Sequence, residues 1–300
     1  MMYDLIIMGA GPAGITAGVY GARKRMNFLI ISKDVGGQTS WVGDVENYIG
    51  YQFISGPDLV TKFREHLEKF NVGLKVEEKV KLVRRESDTI HITSDKGEYE
   101  ARTVIIASGR KPRMLGAEGE MKYMNRGVTY CATCDAPLFA DMDVAVVGGG
   151  NAGLDATLQL INIANKIFVI EFTSTFKADP IMMERARASG KVTFYTQSKV
   201  ETIYGDTFVK GIKVRHGDEL FDLPVQGVFV EIGSTPVSHI APDVKKNKFN
   251  EIIVDPKCRT NIEGIFAAGD VTDVPAKQII VACGEGCKAL LAAFKYLNTR

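Results

Sequence analysis

The sequence contains few of the residues that build metal centres and covalent cross-links. Its 300 residues include 4 histidines and 5 cysteines, an odd number. Three of the cysteines, Cys258, Cys283 and Cys287, lie far along the chain from the other two. A secreted disulfide scaffold has a denser and even set of cysteines. We therefore expect a reducing cytoplasm, in which any disulfide has a catalytic role rather than a structural one.

Long apolar runs and an excess of charge are also lacking. No run approaches the ~18 residues that span a bilayer, and we expect no secretory leader at the N-terminus. The formal net charge of +1 gives no reason to expect nucleic acid or an acidic membrane as a partner. The chain is long enough for two domains of ordinary size. Its 45% of hydrophobic residues can form a sizeable core.

One Cys-x-x-Cys pair, Cys131 and Cys134, lies near the middle of the chain and is followed directly by Asp135. Such a pair can hold a reversible disulfide, and the thiolate is its reacting form. The carboxylate of Asp135 could take or give a proton. A closed zinc site needs four ligands, and the sequence offers neither a second such pair nor a nearby histidine, so we expect no metal. A surface dithiol without a redox cycle is the remaining alternative.

Two glycine-rich segments flank this pair, and each lies between a strand pattern and a helix pattern. Glycines in this setting allow a tight turn and a close approach of the backbone to a pyrophosphate at the helix N-terminus. The flanking strands are predicted at 3–8 and 28–31, and at 143–147 and 167–170. The sequence thus predicts two dinucleotide sites, at Gly9-Ala10-Gly11-Pro12-Ala13-Gly14 and Gly148-Gly149-Gly150-Asn151-Ala152-Gly153.

The second segment repeats the first with a constant offset, which also relates Ser32 to Glu171. This internal duplication is the strongest organisational signal in the chain. A carboxylate at the end of the second strand can accept hydrogen bonds from both ribose hydroxyls and would repel a 2′-phosphate. Glu171 therefore favours NADH over NADPH. The hydroxyl of Ser32 could bind a ribose, or Ser32 could be an ordinary strand end.

A later apolar strand, 262–268, ends in Gly269-Asp270. A carboxylate at this edge of an α/β sheet is well placed to bind a polyol. A short helix is predicted at 180–188. The final helix is predicted at 278–296, and it carries Cys283 and Cys287 on one face, where we expect them to pack.

Together these segments resemble the low-molecular-weight flavoprotein thioredoxin reductases over essentially the whole chain. The C-terminal half is also similar to the flavoprotein subunit of alkyl hydroperoxide reductase, for example at Glu171-Phe172. That relative has additional N-terminal thioredoxin-like domains, which we expect this chain to lack. Besides the glycine motifs and the cysteine pair, the resemblance is carried by Gly36-Gly37-Gln38, Glu46-Asn47-Tyr48 and Ala267-Ala268-Gly269-Asp270.

The resemblance implies an α/β fold with two Rossmann-like three-layer nucleotide-binding domains, the second inserted in the first. The FAD-binding domain would comprise 1–112 and 243–300. The pyridine-nucleotide domain with the cysteine pair would be 113–242. A homodimer is implied as well, in which one domain swings against the other.

Site roles also follow from the resemblance. Cys134 would face the flavin, Cys131 would attack a disulfide of a thioredoxin-like protein, and Asp135 would relay a proton. Contacts to FAD are implied at Gly9, Gly11, Pro12, Ala13, Gly14, Ser32, Gly37, Gln38, Asn47, Val80, Ala107, Gly109, Gly269, Asp270, Lys277, Gln278 and Ile279. Contacts to NADH or NADPH are implied at Gly148, Gly150, Asn151, Ala152, Gly153 and Glu171.

The sequence departs from the NADPH-using members, which carry a His-Arg-Arg run after the second strand. Here that run is Glu171-Phe172-Thr173-Ser174. NADH is therefore the favoured donor, and a different donor such as ferredoxin is an alternative. The same redox core could also serve a peroxiredoxin through a separate carrier. A non-catalytic redox sensor that binds dinucleotides is the alternative of another class.

Overall fold

The computed structural model describes residues 2–42 and 44–299. The chain divides into two compact units. Unit 1 comprises Met1–Lys111 and Thr235–Arg300, and unit 2 is the segment between them, Pro112–Ser234. Within the described ranges, no helix combines the length and the apolar character needed to cross a membrane.

The chain returns to unit 1 at Thr235, earlier than the boundary at 243 that the sequence suggested. Ile240 and Ala241 lie in a core cluster of unit 1, at 2% and 1% exposure. Burying these side chains against the unit 1 sheet stabilises the segment there. The predicted range 113–242 therefore extends past the point of return.

Unit 1 begins with β1 and α1 and ends with a long helix. Its first part contains β1 (Met2–Ala10), α1 (Pro12–Arg23), β2 (Phe28–Val35), β3 (Asp44–Val45), β4 (Ile54–Ser55), α2 (Gly56–Glu68), β5 (Gly73–Lys75), β6 (Val80–Glu86), β7 (Thr89–Ser94), β8 (Glu98–Ile106) and β9 (Arg110–Pro112).

Unit 2 holds the next group of elements. They are β10 (Val128–Thr129), α3 (Ala132–Asp135), β11 (Asp143–Val147), α4 (Asn151–Leu160), β12 (Lys166–Ile170), α5 (Pro180–Ala188), β13 (Val192–Tyr195), β14 (Ser198–Gly205), β15 (Val209–His216), β16 (Glu219–Leu223) and β17 (Gly227–Val230). After them the chain continues with β18 (Ser234–Pro236), β19 (Ile265–Ala267) and α6 (Ile279–Asn298).

The main sheet of unit 1 has the order β5-β2-β1-β8-β7-β6, and β19 also pairs with β8. Its first four strands are parallel, whereas β7 and β6 are antiparallel to their neighbours. Alternate residues of β1 face opposite sides of the sheet. Leu5 and Ile7 pack in the cluster that contains α1 and α6, and Ile6 and Met8 pack in the cluster on the other side. The parallel strand is therefore buried on both faces, as its apolar sequence predicts.

Unit 2 contains a five-stranded parallel sheet of order β10-β17-β11-β12-β13. A separate antiparallel sheet is formed by β14, β15 and β16. In the parallel sheet, β11 and β12 are joined by α4, just as β1 and β2 are joined by α1 in unit 1. The duplication seen in the sequence is thus a duplication of βαβ structure.

Helix α6 packs closely on α1 in unit 1. A β-carbon at Gly286 would lie 2.0 Å from the carbonyl oxygen of Ala13, which is shorter than any allowed contact. Gly284 lies on the same helix and is exposed, and a β-carbon there would meet nothing within 4 Å. The crossing of the two helices therefore depends on Gly286 and not on Gly284.

We expect Gly286→Ala to destabilise unit 1 by about 1–3 kcal/mol, because the added methyl group forces α6 away from α1. The matched control Gly284→Ala should be neutral or stabilising by up to about 1 kcal/mol, since alanine is the better helix former. Urea unfolding of both variants measures the difference. Equal stability of the two variants would show that the helices tolerate a wider separation.

Candidate active site

The first glycine turn connects β1 to α1. Gly9 has φ +107°, and a β-carbon there would lie 2.3 Å from the carbonyl oxygen of Ala107. A β-carbon at Gly14 would lie 1.8 Å from the carbonyl oxygen of Gly9. Gly11, at the N-cap of α1, is different, because its β-carbon would meet only Gly36, at 3.9 Å. The turn is tightly packed behind and open in front of the helix N-terminus, as a pyrophosphate site requires.

A second turn with two left-handed glycines lies beside the first. Gly36 and Gly37 have φ +94° and +56°, a backbone region that favours glycine. The amide of Gly36 donates to Ala10 O at 2.7 Å. A β-carbon at Gly37 would lie 3.7 Å from the α-carbon of Gly11. This turn therefore brings Gly37 and the following Gln38 next to the open side of the glycine turn.

Ser32 is buried at the end of the first part of β2, with 7% exposure. Its hydroxyl accepts a hydrogen bond from Ala10 N at 3.0 Å and donates one to Asp34 O at 2.6 Å. The hydroxyl thus ties β2 to the glycine turn. A ribose hydroxyl would have to donate to the Ser32 oxygen rather than accept from it, so the predicted contact stays a prediction.

Asn47 and Gln278 are far apart in the sequence and meet in unit 1. Asn47 Nδ2 donates to Gln278 Oε1 at 3.2 Å, and Gln278 is the N-cap residue of α6. Ile279 follows as the first residue of that helix. The Nζ of Lys277 donates a hydrogen bond to Thr272 O at 2.6 Å. Predicted contacts from two separate loops are therefore gathered at one helix N-terminus.

Asp270 follows β19 in a one-turn 3₁₀ helix. Burial raises the pKa of Asp270, although the charges of Lys277 and Arg110 act against this. The preceding Gly269 lies near α1, since a β-carbon there would be 3.1 Å from that of Ala13. A half-buried carboxylate beside a nucleotide turn fits a ligand that brings hydroxyl donors, such as the polyol chain of a flavin.

Val80 and Gly109 are two further predicted FAD contacts of unit 1. Val80 is 7% exposed in the core cluster that also contains Met8 and Ile31. Gly109 has φ +66°, and its carbonyl oxygen accepts from Val237 N at 3.0 Å. Both residues have clear structural roles, and their contacts with a cofactor stay predictions.

The second glycine turn, in unit 2, reproduces the first. Gly148 has φ +127°, and a β-carbon there would lie 2.4 Å from the carbonyl oxygen of Glu231. A β-carbon at Gly153 would lie 1.9 Å from the carbonyl oxygen of Gly148. Gly150, the N-cap residue of α4, has open space around it, since its β-carbon would meet nothing within 4 Å. The residues fit a second dinucleotide by the same criterion as the first.

The loop after β12 folds onto this turn. Lys177 N donates to Gly149 O at 2.9 Å, and Asp179 N donates to Asn151 Oδ1 at 2.9 Å. The side chain of Asn151, the first residue of α4, therefore fixes the loop, whereas Ala152 and Gly153 of the same helical turn offer only backbone polar groups. This contact was not apparent from the sequence.

Glu171 lies at the end of β12, as the duplication predicts. Its carboxylate accepts from Gly149 N at 2.6 Å and from both Thr173 N and Thr173 Oγ1 at 2.7 Å. Burial raises the pKa of Glu171, but the hydrogen bonds from Thr173 and Gly149, together with the charge of Lys177, hold the pKa below its usual range. The carboxylate is thus ionised and fixed in orientation beside the glycine turn.

Cys131 and Cys134 form a disulfide in unit 2, with their α-carbons 5.3 Å apart. Cys131 is the N-cap residue of the short helix α3, and its carbonyl oxygen accepts from Cys134 N at 3.2 Å and Asp135 N at 3.1 Å. Both cysteines are half-buried and Thr133 between them is exposed. The predicted dithiol is therefore present as a disulfide on a tight turn.

Thr129 joins Asp135 to this turn, a role that the sequence did not reveal. The Thr129 hydroxyl accepts from Cys131 N at 3.2 Å and donates to Asp135 Oδ2. One hydroxyl thus connects the backbone of the first cysteine with the acid that follows the second. A threonine two residues before a Cys-x-x-Cys pair is the only signal that could have indicated it.

Glu231 is a second residue that sequence reasoning missed. Its Oε1 accepts from Ala132 N, within the disulfide turn, at 3.3 Å. Burial raises the pKa of Glu231 to about 7. The hydrogen bond from Ala132 acts to lower the pKa, and the charge of Asp155 acts to raise it further. Two carboxylates therefore contact the disulfide turn rather than one.

Comparison with known proteins agrees with this geometry. The model of the pyridine nucleotide-disulphide oxidoreductase family matches residues 3–286. The structure of thioredoxin reductase from Streptococcus pyogenes is 39% identical and superposes with a TM-score of 0.95, covering 100% of this chain and 99% of that one. The resemblance stated from the sequence and the predicted fold class are thereby confirmed.

Two curated relatives are also similar over 98% of this chain. NADH dehydrogenase of Ferdinandcohnia aciditolerans is 36% identical over 299 residues, which are 57% of its length. An alkyl hydroperoxide reductase subunit of Staphylococcus aureus is 37% identical over 300 residues, which are 59% of its length. The chain thus spans little more than half the length of these two relatives.

The family match, the structural superposition and the two glycine turns agree on the class of chemistry. An enzyme of this class uses FAD and a nicotinamide dinucleotide, and each turn fits one of these cofactors. The chain belongs to the pyridine nucleotide-disulphide oxidoreductase family and is a flavoprotein oxidoreductase.

Proposed function

We propose that the enzyme reduces protein disulfides, with NADH as the electron donor and a thioredoxin-like protein as the acceptor. The observation that carries this proposal is the Cys131–Cys134 disulfide, which lies in the same unit as the second glycine turn. Similarity to a thioredoxin reductase over the whole chain supports it. Electrons would pass from NADH to FAD, then to the disulfide, and finally to the partner.

Unit 1 would hold FAD. Its pyrophosphate would lie at the N-terminus of α1, and Asp270 would accept hydrogen bonds from its polyol chain. When bound and reduced by NADH, FAD would supply two electrons to the disulfide. The further residues that we assign to this site are Gly9, Gly11, Pro12, Ala13, Gly14, Ser32, Gly37, Gln38, Asn47, Val80, Ala107, Gly109, Gly269, Lys277, Gln278 and Ile279.

Unit 2 would hold the nicotinamide dinucleotide, with NADH preferred. The ionised Glu171 can accept from ribose hydroxyls, and its charge would repel a 2′-phosphate. Similarity to a protein named NADH dehydrogenase supports the same preference. The remaining residues assigned to this site are Gly148, Gly150, Asn151, Ala152 and Gly153.

The dithiol would act by thiol–disulfide exchange. The Cys131 thiolate attacks the partner disulfide, which forms a mixed disulfide and releases one partner thiolate. Cys134 then attacks the Cys131 sulfur, so that the Cys131–Cys134 bond forms again and the second partner thiolate leaves. Two electrons are transferred in total, and the partner takes up two protons. We assign Asp135, held by Thr129, as the proton carrier for the pair.

A second candidate acceptor is a peroxiredoxin, reached through a separate thioredoxin-like carrier. The similarity to an alkyl hydroperoxide reductase subunit favours this route. The chemistry at Cys131 and Cys134 is the same in both cases. Turnover with thioredoxin alone, and with peroxiredoxin plus a carrier, distinguishes the two acceptors.

We also propose that the enzyme is a homodimer in the cytoplasm. The family resemblance of the sequence implies this assembly. Light scattering of the purified flavoprotein tests it, and a monomeric mass would contradict it.

Cys131→Ser should abolish turnover of a thioredoxin-like disulfide and leave the reduction of bound FAD by NADH intact. Cys134→Ser should instead retain the attacking thiolate and accumulate a mixed disulfide with the partner, because the resolving thiol is missing. Stopped-flow flavin absorbance and mass spectrometry measure the two effects. Cys287→Ser, on α6, is the control and should behave as the wild type. A Cys131→Ser enzyme that still turns over would contradict the assigned roles.

Glu171→Gln should raise the KM for NADH roughly tenfold or more, because hydrogen bonds to a charged acceptor contribute about 1.5–3 kcal/mol. The KM for NADPH should stay the same or fall, since repulsion of the 2′-phosphate is lost. Glu201→Gln is a matched control, because Glu201 is an acid of unit 2 paired with Arg215 at 2.6 Å. An unchanged ratio of the two KM values in Glu171→Gln would rule out this assignment.

A further inference from the structure

Glu231 occupies the position in unit 2 that Ala107 occupies in unit 1. In both units one residue separates this position from a Gly-x-x-Pro sequence, at 109–112 and 233–236. The two carbonyl oxygens also make the same contact, since the β-carbon of the first glycine in each turn would lie 2.3 Å from Ala107 O and 2.4 Å from Glu231 O. The duplicated fold thus carries a methyl group at this position in one unit and a carboxyl group in the other.

The backbone and the side chain of Glu231 face two different parts of the site. Its carbonyl oxygen packs on Gly148 of the nucleotide turn, and its amide donates to Val147 O at 2.8 Å. Its carboxylate oxygen Oε1 accepts from Ala132 N at 3.3 Å. Because Ala132 directly follows Cys131, the carboxylate is anchored in the turn that the disulfide closes.

The charged surroundings of Glu231 are acidic. In the part of the chain that the structure describes, the charge that acts on it comes from Asp155 of α4. The turn that donates Ala132 N to Glu231 also carries Cys131, Cys134 and Asp135, while β11 and the nucleotide turn contact Glu231 through backbone groups of Val147 and Gly148. Adding a thiolate to this group of acids is unfavourable unless a proton is taken up nearby.

We propose that Glu231 is a positioning residue for the redox pair, which links proton uptake at its carboxyl group to thiolate formation at Cys131. The part of this proposal that concerns turnover rests on the proposed function. Opening the disulfide breaks the sulfur–sulfur bond, takes up two electrons and needs one proton if one sulfur remains a thiolate. NADH supplies the electrons in the proposed reaction. A second proton taken up by Glu231 would offset the new negative charge.

The direction of the pH effect follows from the same electrostatics. Above its pKa, Glu231 is ionised and raises the pKa of the Cys131 thiol, because two like charges repel. Below its pKa, Glu231 is neutral, so this repulsion is absent and the pKa of the Cys131 thiol is lower. By reciprocity, the Cys131 thiolate makes protonation of Glu231 more favourable. Reduced enzyme should therefore hold a proton on Glu231 at a pH where the oxidised enzyme has released it.

The test measures alkylation of the reduced, full-length flavoprotein by iodoacetamide as a function of pH, after chemical reduction and removal of the reductant. Mass spectrometry follows Cys131, and the buried Cys258 of unit 1 reports any general loosening. Glu231→Gln keeps an oxygen acceptor for Ala132 N and removes the charge. We expect the midpoint for Cys131 to move to lower pH by about one unit, which is roughly tenfold in thiolate at a pH above the pKa of Glu231 and below both Cys131 midpoints.

Two further variants separate charge from hydrogen bonding. Glu231→Leu removes both and should shift the midpoint in the same direction as Glu231→Gln. Glu201→Gln, the acid paired with Arg215, should keep the wild-type midpoint. A shift in Glu231→Leu with none in Glu231→Gln would mean that only the hydrogen bond matters and would overturn the proposal. A wild-type midpoint in both variants would overturn it as well.

A measurement on the unmodified enzyme covers the case in which the Glu231 variants fail to fold. Carboxyl-labelled glutamate allows the titration of Glu231 to be followed by carbon NMR in the oxidised and the dithiol forms. We expect its pKa to be higher in the dithiol form, and equal values in the two forms would contradict the link. Neither test uses NADH or a partner protein, so a failure of the proposed function would be seen separately, as an absence of turnover.

Discussion

Both nucleotide clefts depend on close contact between a glycine and the carbonyl oxygen of a neighbouring strand. In unit 1 the contact joins Gly9 to Ala107, and in unit 2 it joins Gly148 to Glu231. Since neither glycine has a β-carbon, each helix can begin directly at the end of its strand. The amide groups of the first helical turn then face open space, where a phosphate group is stabilised by the helix dipole. A β-carbon at either glycine would clash with that carbonyl oxygen, so a larger residue would displace the turn.

Glu171 and Glu231 of unit 2 show how hydrogen bonds and neighbouring charges decide whether burial neutralises a carboxyl group. Glu171 accepts three hydrogen bonds from Gly149 and Thr173, and its pKa is lowered. Glu231 accepts one, from Ala132, and its pKa is raised. Each directly follows a strand of the same parallel sheet. Three donors and the charge of Lys177 outweigh burial at Glu171, whereas deeper burial and the charge of Asp155 outweigh the single donor at Glu231.

Local signals in the sequence were sufficient for several of the elements that position the site, although not for α3 or β17. Helix α5 has its predicted bounds because Asp179 caps it and a proline begins it, and Glu171 was found because the βαβ unit is repeated. The contacts of Thr129 and Glu231 were missed for different reasons. Glu231 and Ala132 are separated by 99 residues, so no local pattern records their contact. The hydroxyl of Thr129 acts on a turn whose shape is set by the disulfide, and this shape is not visible from residue types.

Unit 1 is built from two segments of the chain, and this discontinuity determines when the unit can be completed during synthesis. Its sheet gains β19 and its helical layer gains α6 only after the whole of unit 2 has passed through the ribosome. Unit 2 is continuous and can form its core while synthesis is still in progress. The first segment of unit 1 must wait until then with the α1 surface that later receives Gly286 still uncovered. Unit 1 is therefore the first unit to be started during translation and the last to be completed.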